Sequence, residues 1–194
     1  MKKIVIFLLM FALISPVSYI MASDFTVKEG NVSYKVKSKT FGLFSDNIEG
    51  INDKLSGNII VADGKISGKL IIMVTGFESG NSRRDRDVAK ILKYEEYPDI
   101  TFEIAEINEE ILKEALEREK GSVSIKGKLT AAGVSKVYDI IIKYLHINEN
   151  EVKLTTEISA KFSDFGIKPP SFGKVIKKTP DKLTLTGEIV FRNE

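Results

Sequence analysis

The 194-residue sequence contains no cysteine and no tryptophan, and it has a single histidine, His146. Without cysteine the chain has no disulfide, no thiolate metal site, no cysteine nucleophile and no lipid-modified cysteine. One histidine with only Glu149 and Glu151 near it in sequence is a weak basis for a zinc site, which needs about three or four protein ligands. We therefore expect no metal and no cofactor, and we interpret His146 as a surface residue.

Sequence motifs of enzymes are also missing. No Gly-x-Ser-x-Gly segment marks a nucleophilic serine, and no glycine-rich phosphate loop precedes a helix. The carboxylate pairs Glu95-Glu96 and Glu109-Glu110 fall at the ends of predicted helices, where they complement the helix dipole or are simply solvated. The sequence therefore predicts a protein that is not an enzyme. A reaction on a lipid, which would have to use Arg84 or His146, has almost no support from the residues present.

The positive excess that would indicate a nucleic-acid partner is absent too. The formal net charge is +2, from 29 Lys and Arg against 27 Asp and Glu, and Lys2 and Lys3 account for the whole excess. Since the rest of the chain is formally neutral, we expect no nucleic-acid binding. With 43% hydrophobic and 29% charged residues, the chain has the composition of a folded protein, and its length fits one domain.

The N-terminus has the pattern of a signal peptide. Lys2 and Lys3 precede an apolar run over residues 4–14, and the small residue Ala22 provides a cleavage site. The run is shorter than the ~20 apolar residues of a membrane-spanning helix. We therefore predict a signal peptide over residues 1–22, and export of the protein to the periplasm or beyond the cell.

Two alternatives to cleavage at Ala22 stay open. Cleavage after Ser23 fits nearly as well, and residues 17–21 extend the apolar run to a length that would serve as an uncleaved membrane anchor. In each case residues 23–194 form the predicted folded domain, because no internal repeat, low-complexity tract or linker divides them.

Alternation of apolar and polar residues dominates this domain, and a period of two indicates β-strands. The alternation occurs in eight segments, around residues 32–36, 55–61, 70–74, 100–104, 123–126, 138–144, 154–162 and 183–191. Two segments have helical spacing instead, 82–96 and 108–120, the second ending before Gly121. About eight antiparallel strands with one apolar face form either a sandwich of two sheets or a closed barrel.

The charged residues of these strands determine which face points inward. They occupy the polar positions of the alternating pattern, and they are Lys35, Lys37, Lys69, Glu103, Lys126, Lys143, Lys153, Glu157, Lys161, Lys182, Glu188 and Arg192. In an eight-stranded membrane barrel they would line a narrow lumen, and their desolvation would cost several kcal/mol each. We therefore expect the charges to face water and the apolar residues to face the interior of a soluble barrel.

Three groups of motifs, over most of residues 24–194, resemble in order and spacing those of the YceI-like family. The motifs are Glu78-Ser79-Gly80-Asn81 with Arg84-Asp85 and Tyr97-Pro98-Asp99-Ile100-Thr101-Phe102; Gly127-Lys128-Leu129-Thr130 with Gly133-Val134-Ser135-Lys136; and Asp164-Phe165-Gly166-Ile167. The chain departs from the family at Lys39-Thr40-Phe41 and Asp87, where many members carry histidine. These departures concern the ligand headgroup more than the fold.

The resemblance implies an all-β, eight-stranded antiparallel, lipocalin-like β-barrel with one or two short helices. Taken alone, the inward-facing residues favour a core packed by its own side chains, whereas the resemblance implies an elongated apolar lumen that binds a polyisoprenoid or another long-chain lipid. The predicted lumen residues are Tyr34, Val36, Leu70, Ile72, Val74, Ile100, Phe102, Ile104, Tyr138, Ile140, Ile142, Leu154, Ile158, Phe162 and Leu185.

The segment around Arg84 has two interpretations. As a ligand contact at the mouth of the barrel, Arg84 would meet a phosphate or another polar headgroup. As structural residues, Asn81 would cap the helix, and Arg84 and Asp85 would fix the corner between strand and helix through local hydrogen bonds. The structural interpretation is favoured, because a motif shared among proteins with diverse ligands suggests architecture.

Phe165 and Phe172 flank the rigid pair Pro169-Pro170. These aromatic residues would form a lid over the cavity and contact the ligand, or they would belong to an ordinary stiff connection packed on the rim. Asp164 and Gly166 are interpreted as structural residues of the strand exit that the resemblance identifies.

The leading hypothesis is an extracytoplasmic binding or carrier protein for a long-chain amphipathic lipid: a polyisoprenoid, an isoprenoid quinone or a fatty-acid derivative. The alternative is a stress-responsive structural or protein-interaction module with a solidly packed barrel and no ligand. Transient contact with a membrane and formation of a homodimer stay open under the leading hypothesis.

Overall fold

A computed structural model describes residues 22–40, 44–118, 122–169 and 177–193, so that only Ala22 of the predicted signal peptide is included. The strands in these ranges are β1 (Ser23–Thr40), β2 (Phe44–Asn52), β3 (Leu55–Ala62), β4 (Lys65–Met73), β5 (Asp99–Asn108), β6 (Val123–Ala131), β7 (Val134–Ile147), β8 (Glu151–Lys161), β9 (Lys177–Lys178) and β10 (Lys182–Asn193). The helices are α1 (Ser82–Ile91) and α2 (Glu109–Arg118).

Eight of the described strands close into an antiparallel barrel in the order β1, β3, β4, β5, β6, β7, β8, β10. The barrel is closed by β10, which pairs with β1 from Lys35 opposite Thr184 to Phe25 opposite Asn193. β2 pairs with the second half of β1, and the short β9 pairs with its last residues, so both are additional to the ring. The predicted all-β, eight-stranded barrel with short helices is thus confirmed.

The length of β1, 18 residues, follows from its exchange of partners. Residues 23–26 pair with β3, whereas residues 32–40 pair with β2. Gly30 permits the close approach of β10, since a Cβ at this position would lie 2.4 Å from the carbonyl oxygen of Glu188. The sequence predicts only the later part of β1, because Lys28-Glu29-Gly30-Asn31 interrupts the alternation, and it misses β2 and β9.

Both helices lie in the segments predicted for them. The side-chain oxygen of Asn81 caps α1 by accepting two backbone hydrogen bonds of 3.1 Å. α1 ends earlier than predicted, because Lys93 has a left-handed φ of 55° and residues 92–96 form turns. The predicted end of the second helix at Gly121 lies outside the described residues.

Charged side chains lie on the outer surface of the barrel, and apolar side chains face the interior. On the outside, Lys35 pairs with Glu49 at 3.2 Å and Lys69 with Glu103 at 3.4 Å. The apolar residues with at most 2% exposure are Phe25, Val36, Val74, Ile140, Ile142, Val152, Ala160 and Phe191. The expected direction of the two faces is therefore observed. No described helix combines the length and hydrophobicity that crossing a membrane requires.

A bulge in β7 changes which residues face inward. The register with β8 shifts between Ile142 and Tyr144. Tyr144 occupies an apolar position of the alternating pattern and was expected to face inward, yet it is 51% exposed. Leu145 packs against the core instead. An inserted residue of this kind moves the side chain of every later residue on the strand to the opposite face of the sheet.

Candidate ligand-binding cavity

The barrel interior contains a cavity that its own side chains leave open. Its volume is about 150 Å³. One water needs roughly 10–15 Å³, so the cavity is about ten times larger. Its walls come from seven strands of the ring and from α1, and their exposed atoms are almost entirely apolar.

Most of the predicted lumen residues are brought together around this cavity. They come from five strands and from the turn after β8, and they are Tyr34, Val36, Leu70, Ile72, Ile100, Phe102, Ile104, Leu154, Ile158, Phe162 and Leu185. The small residues Thr156, Ala160 and Gly187 also line it. Because small side chains leave space that larger ones would fill, these three positions help to keep the barrel open.

β7 contributes no residue to the cavity wall, and Tyr138, Ile140 and Ile142, which were predicted as lumen residues, lie outside that wall. Ile140 is fully buried, and it packs over Gly127: a Cβ on that glycine would lie 2.2 Å from Cδ1 of Ile140 and 2.8 Å from Cζ of Phe102. The missing side chain of residue 127 thus provides a recess for Ile140. An alternating sequence pattern predicts that a residue lies on the inner face of the barrel. It does not predict whether that residue lines the cavity or belongs to the packed core.

Val74 is the fourth predicted lumen residue that does not line the cavity. It is 1% exposed, but it begins the 3-10 turn Val74–Gly76 directly after β4. Its backbone N–H donates a 2.8 Å hydrogen bond to the carbonyl oxygen of Pro98. The strand has therefore ended at this residue, and the alternation of Leu70 and Ile72 does not extend to it.

The sequence analysis missed the part of the wall that comes from α1 and the segments near it. Val88, Ile91 and Leu92 line the cavity together with Phe77 and Ile167. The spacing of three and four residues in 88–92 already indicated one apolar helix face. What the spacing does not give is the surface that this face covers, which is the open interior of the barrel.

Arg84 lies beside the cavity and not in its wall. Its guanidinium group is engaged by Ser79, through a 2.7 Å bond from Nε to the hydroxyl oxygen and a 2.6 Å bond from Nη2 to the carbonyl oxygen. The hydroxyl of Ser79 in turn donates to Asp85, which also accepts a 3.0 Å bond from the backbone N–H of Ser79. With Asn81 as the helix cap, these residues form a hydrogen-bonded corner between strand and helix.

A second corner joins β7 to the turn Phe162–Phe165. The hydroxyl of Tyr138 donates a 2.8 Å hydrogen bond to Asp164, and Lys136 lies 3.4 Å from the same carboxylate. The pKa of Asp164 is lowered, mainly by the bond from Tyr138. Gly166 ends the turn at a left-handed φ of 67°, a conformation that suits glycine.

Of the predicted mouth aromatics, Phe165 does line the cavity. Its ring centroid lies 6.0 Å from that of Tyr138. The other aromatic, Phe172, lies outside the described residues. The lid interpretation therefore has one of its two aromatic residues at the cavity wall.

Tyr34 is the aromatic residue of the β1 wall, and it is 7% exposed. Its ring centroid lies 5.4 Å from that of Phe77, and the edge of the ring lies against Gly50 on β2. Burial raises the pKa of the Tyr34 hydroxyl, and this effect outweighs the opposing influence of the nearby positive charge of Arg84. The phenol is therefore protonated at neutral pH.

Outside the cavity, His146 is exposed and its Nε2 lies 3.2 Å from Nδ2 of Asn148. Among the described residues, no group of three or more His, Cys, Asp or Glu side chains lies close enough to hold a metal ion.

The family model described as the YceI-like domain matches residues 24–191. No curated protein matches the chain. The sequence match thus covers every residue that lines the cavity and nearly all of the barrel, and it begins after the predicted signal peptide.

Several solved structures have the same fold. BcnA of Burkholderia cenocepacia is 20% identical, covers 83% of this chain and 95% of its own, and gives a TM-score of 0.61. A polyisoprenoid-binding domain of Saccharophagus degradans is 12% identical, covers 88% and 98%, and gives 0.62. The YceI protein of Campylobacter jejuni is 20% identical, covers 80% and 91%, and gives 0.51. At these identities the likeness establishes the fold.

Proposed function

The chain belongs to the YceI-like domain family, and on that premise we propose that it binds one long-chain amphipathic lipid, whose tail occupies the cavity of the barrel. The observation that carries the proposal is the cavity itself, which is lined by apolar surface from seven strands and α1. A polyisoprenoid, an isoprenoid quinone and a fatty-acid derivative share the chemistry that such a site takes. The description of the Saccharophagus degradans domain as polyisoprenoid-binding supports the first of these.

Partition of the tail provides the binding energy. Each methylene group moved from water into an apolar site contributes ~0.8 kcal/mol, so a tail of about ten carbons gains on the order of 8 kcal/mol before the entropic cost of binding. Polar atoms in the wall would reduce this gain, and the wall exposes almost none. Selectivity then comes from the length of the cavity and from the few polar groups that the ligand reaches.

We assign a binding or carrier role without catalysis and an extracytoplasmic location, as the N-terminal segment predicts. The alternative function, a structural or interaction module, assumed a solidly packed barrel, and the open cavity counts against that assumption. N-terminal sequencing of the protein from the extracytoplasmic fraction tests the location. A mature chain beginning at Ser23 or Asp24 supports cleavage, whereas an intact Met1 segment supports the anchor.

A cavity-filling variant tests the binding function. Ala160 is 1% exposed and lines the cavity, so Ala160→Leu places an isopropyl group in the space assigned to the lipid tail. Ala105→Leu makes the same chemical change at an exposed position of β5 and serves as the matched control. The measurement is a fluorescence titration of the delipidated protein with cis-parinaric acid, a long-chain polyene carboxylic acid.

We expect Ala160→Leu to weaken binding by about tenfold or more, and Ala105→Leu to bind like the wild type. Circular dichroism checks that both variants are folded, and Thr156→Leu, at another lining position, replaces Ala160→Leu if the latter is not. Equal binding by wild type and by folded cavity-filling variants would overturn the assignment of the cavity, as would the absence of binding by the wild type.

A further inference from the structure

Three lysines of neighbouring strands lie next to one another on the outer face of the barrel. Lys182 on β10 stands directly opposite Lys161 on β8. β10 pairs with β1 through Thr184 opposite Lys35, and the same antiparallel register brings Lys182 to Lys37. All three residues are exposed. We call Lys37, Lys161 and Lys182 the lysine patch.

The lysine patch differs from the other lysines of the barrel. Most lysines on the described strands are paired with a carboxylate, and these are Lys35, Lys65, Lys69, Lys126, Lys128, Lys136, Lys143 and Lys153. The lysines of the patch form no ion pair with a described residue. Asp164 and Asp181 feel the charge of Lys161 only through space. Their oxygens accept hydrogen bonds from Tyr138 and Ser163, respectively.

Like charges that stand directly opposite each other on a sheet repel and destabilise it. Lys161 and Lys182 form such a pair. The repulsion grows where β9 joins the end of β1, because Lys178 stands opposite Lys39. Asp46 on β2 is the acidic residue in the ladder with this end of β1. An anion from outside the chain would therefore be favourable at this corner of the barrel.

The opposite end of the barrel is acidic. α2 follows β5, and β5 ends at the opposite end from β1 and β8. The acidic residues of α2 outnumber its basic residues, Lys113 and Arg118; they are Glu109, Glu110, Glu114 and Glu117. The chain after the predicted signal peptide is formally neutral, but its charge is unevenly distributed. A negatively charged surface would thus attract the barrel with the lysine patch foremost.

The lysine patch is also the outer side of the cavity wall. Val36, Phe162 and Leu183 line the cavity, and each of them is the neighbour in sequence of a patch lysine. An anionic surface bound to the patch would therefore lie one strand thickness from the cavity. Val137 on β7, the strand beside β8, adds an apolar side chain to the outer surface and is 60% exposed.

We propose that the lysine patch docks the barrel on an anionic phospholipid bilayer, with the negatively charged headgroups against the three ammonium groups. Lysines close to such a surface are attracted to it over about 10 Å, the distance at which salt screens the charges. The choice of a bilayer among polyanions rests on the proposed function, since a long-chain lipid resides in a membrane before a carrier takes it up. The inference adds which side of the barrel faces that membrane.

Sedimentation with vesicles tests this docking surface. The vesicles consist of phosphatidylcholine alone or of phosphatidylcholine mixed with anionic phosphatidylglycerol. The patch variant combines Lys37→Gln, Lys161→Gln and Lys182→Gln. The control variant makes the same change in net charge at lysines that pair with carboxylates, and it combines Lys65→Gln, Lys126→Gln and Lys153→Gln. All proteins are isolated with the N-terminus found in cells, so this segment is the same in each, and circular dichroism checks that they are folded.

We expect phosphatidylglycerol to strengthen vesicle binding by the wild type and by the control variant, and added salt to reverse this gain. In the patch variant the gain should be smaller by about tenfold or more. Equal gains in the patch and control variants would overturn the role of the three lysines. No gain in the wild type would overturn the membrane as the partner, as would tighter binding to polyglutamate, which would indicate an acidic protein.

A titration with cis-parinaric acid separates this inference from the proposed function. The patch variant should bind this probe like the wild type, because its three substitutions lie outside the cavity wall. A wild type that binds anionic vesicles but not cis-parinaric acid would contradict the lipid-binding cavity. A wild type that binds cis-parinaric acid without preferring anionic vesicles would contradict only the docking surface.

Discussion

Gly50 on β2 lies opposite Tyr34 on β1, and the phenol ring occupies the space that a side chain at residue 50 would take. A Cβ on Gly50 would lie 2.4 Å from Cε1 and 2.7 Å from the hydroxyl oxygen of Tyr34. β2, which is additional to the barrel ring, thus helps to position a residue of the cavity wall. The absence of a side chain at Gly50 allows the Tyr34 ring to lie there.

This relationship predicts the effect of Gly50→Ala. The added methyl group overlaps a buried ring, so we expect the variant to be less stable by about 1–3 kcal/mol, which is typical of overpacking. Urea denaturation measures the change. In a Tyr34→Ala background the same substitution should cost much less, and equal costs in the two backgrounds would contradict the contact.

Asn81→Ala tests the cap of α1. The Asn81 side chain accepts bonds from the backbone N–H groups of Arg83 and Arg84, both at 3.1 Å. Loss of such a cap costs about 1 kcal/mol, and we expect that decrease in the free energy of unfolding. Asn81→Asp keeps an acceptor at the helix N-terminus and should retain most of the stability. Equal losses in the two variants would show that the cap is not the cause.

Tyr138→Phe removes the bond between β7 and Asp164. We expect a loss of about 1 kcal/mol in the free energy of unfolding, as for one partly buried hydrogen bond. Tyr144→Phe makes the same chemical change at a position of β7 that is 51% exposed, and it should leave stability nearly unchanged. Denaturation of the two variants side by side checks this contrast, and equal losses would contradict the assignment of the Tyr138 hydroxyl.

Acid should weaken the corner around Asp164 and Asp181. Hydrogen bonds from Tyr138 and Ser163, respectively, are the main causes that lower the pKa values of these carboxyl groups. Because the folded state binds these protons less readily than the unfolded state does, the stabilisation is present above the ordinary aspartate pKa of about 3.9. It is lost as the pH falls through the lowered values.

Urea denaturation between about pH 6 and pH 2 measures this effect. We expect the free energy of unfolding to decrease with acidification, and to decrease less in Asp181→Asn, which cannot take up that proton. A variant that follows the wild-type pH dependence would contradict a role for Asp181.

The alternation of residues such as Leu70, Ile72 and Phe102 is enough to predict the strands and the direction of their faces, because successive side chains of a strand point to opposite sides. The choice of a closed barrel over a sandwich came from the family resemblance. It does not predict the bulge at Ile142 and Tyr144, which depends on the pairing with β8. Nor does it give the cavity, since volume depends on how opposing strands fit together. The positions of Ile140 over Gly127 and of Tyr34 over Gly50 are consequences of that fit.

The resemblance to a family supplied the expectation of a lipid, whereas the cavity proposed to hold that lipid comes from the structure.

The central claim is that a lipid occupies the barrel, and the most direct test is to isolate the protein from its own cells, extract it with organic solvent and quantify the extract by mass spectrometry. We expect about one long-chain, oxygen-bearing lipid per folded chain, and markedly less from Ala160→Leu prepared in the same way. An extract without lipid, from a protein that also fails to bind cis-parinaric acid, would contradict the account.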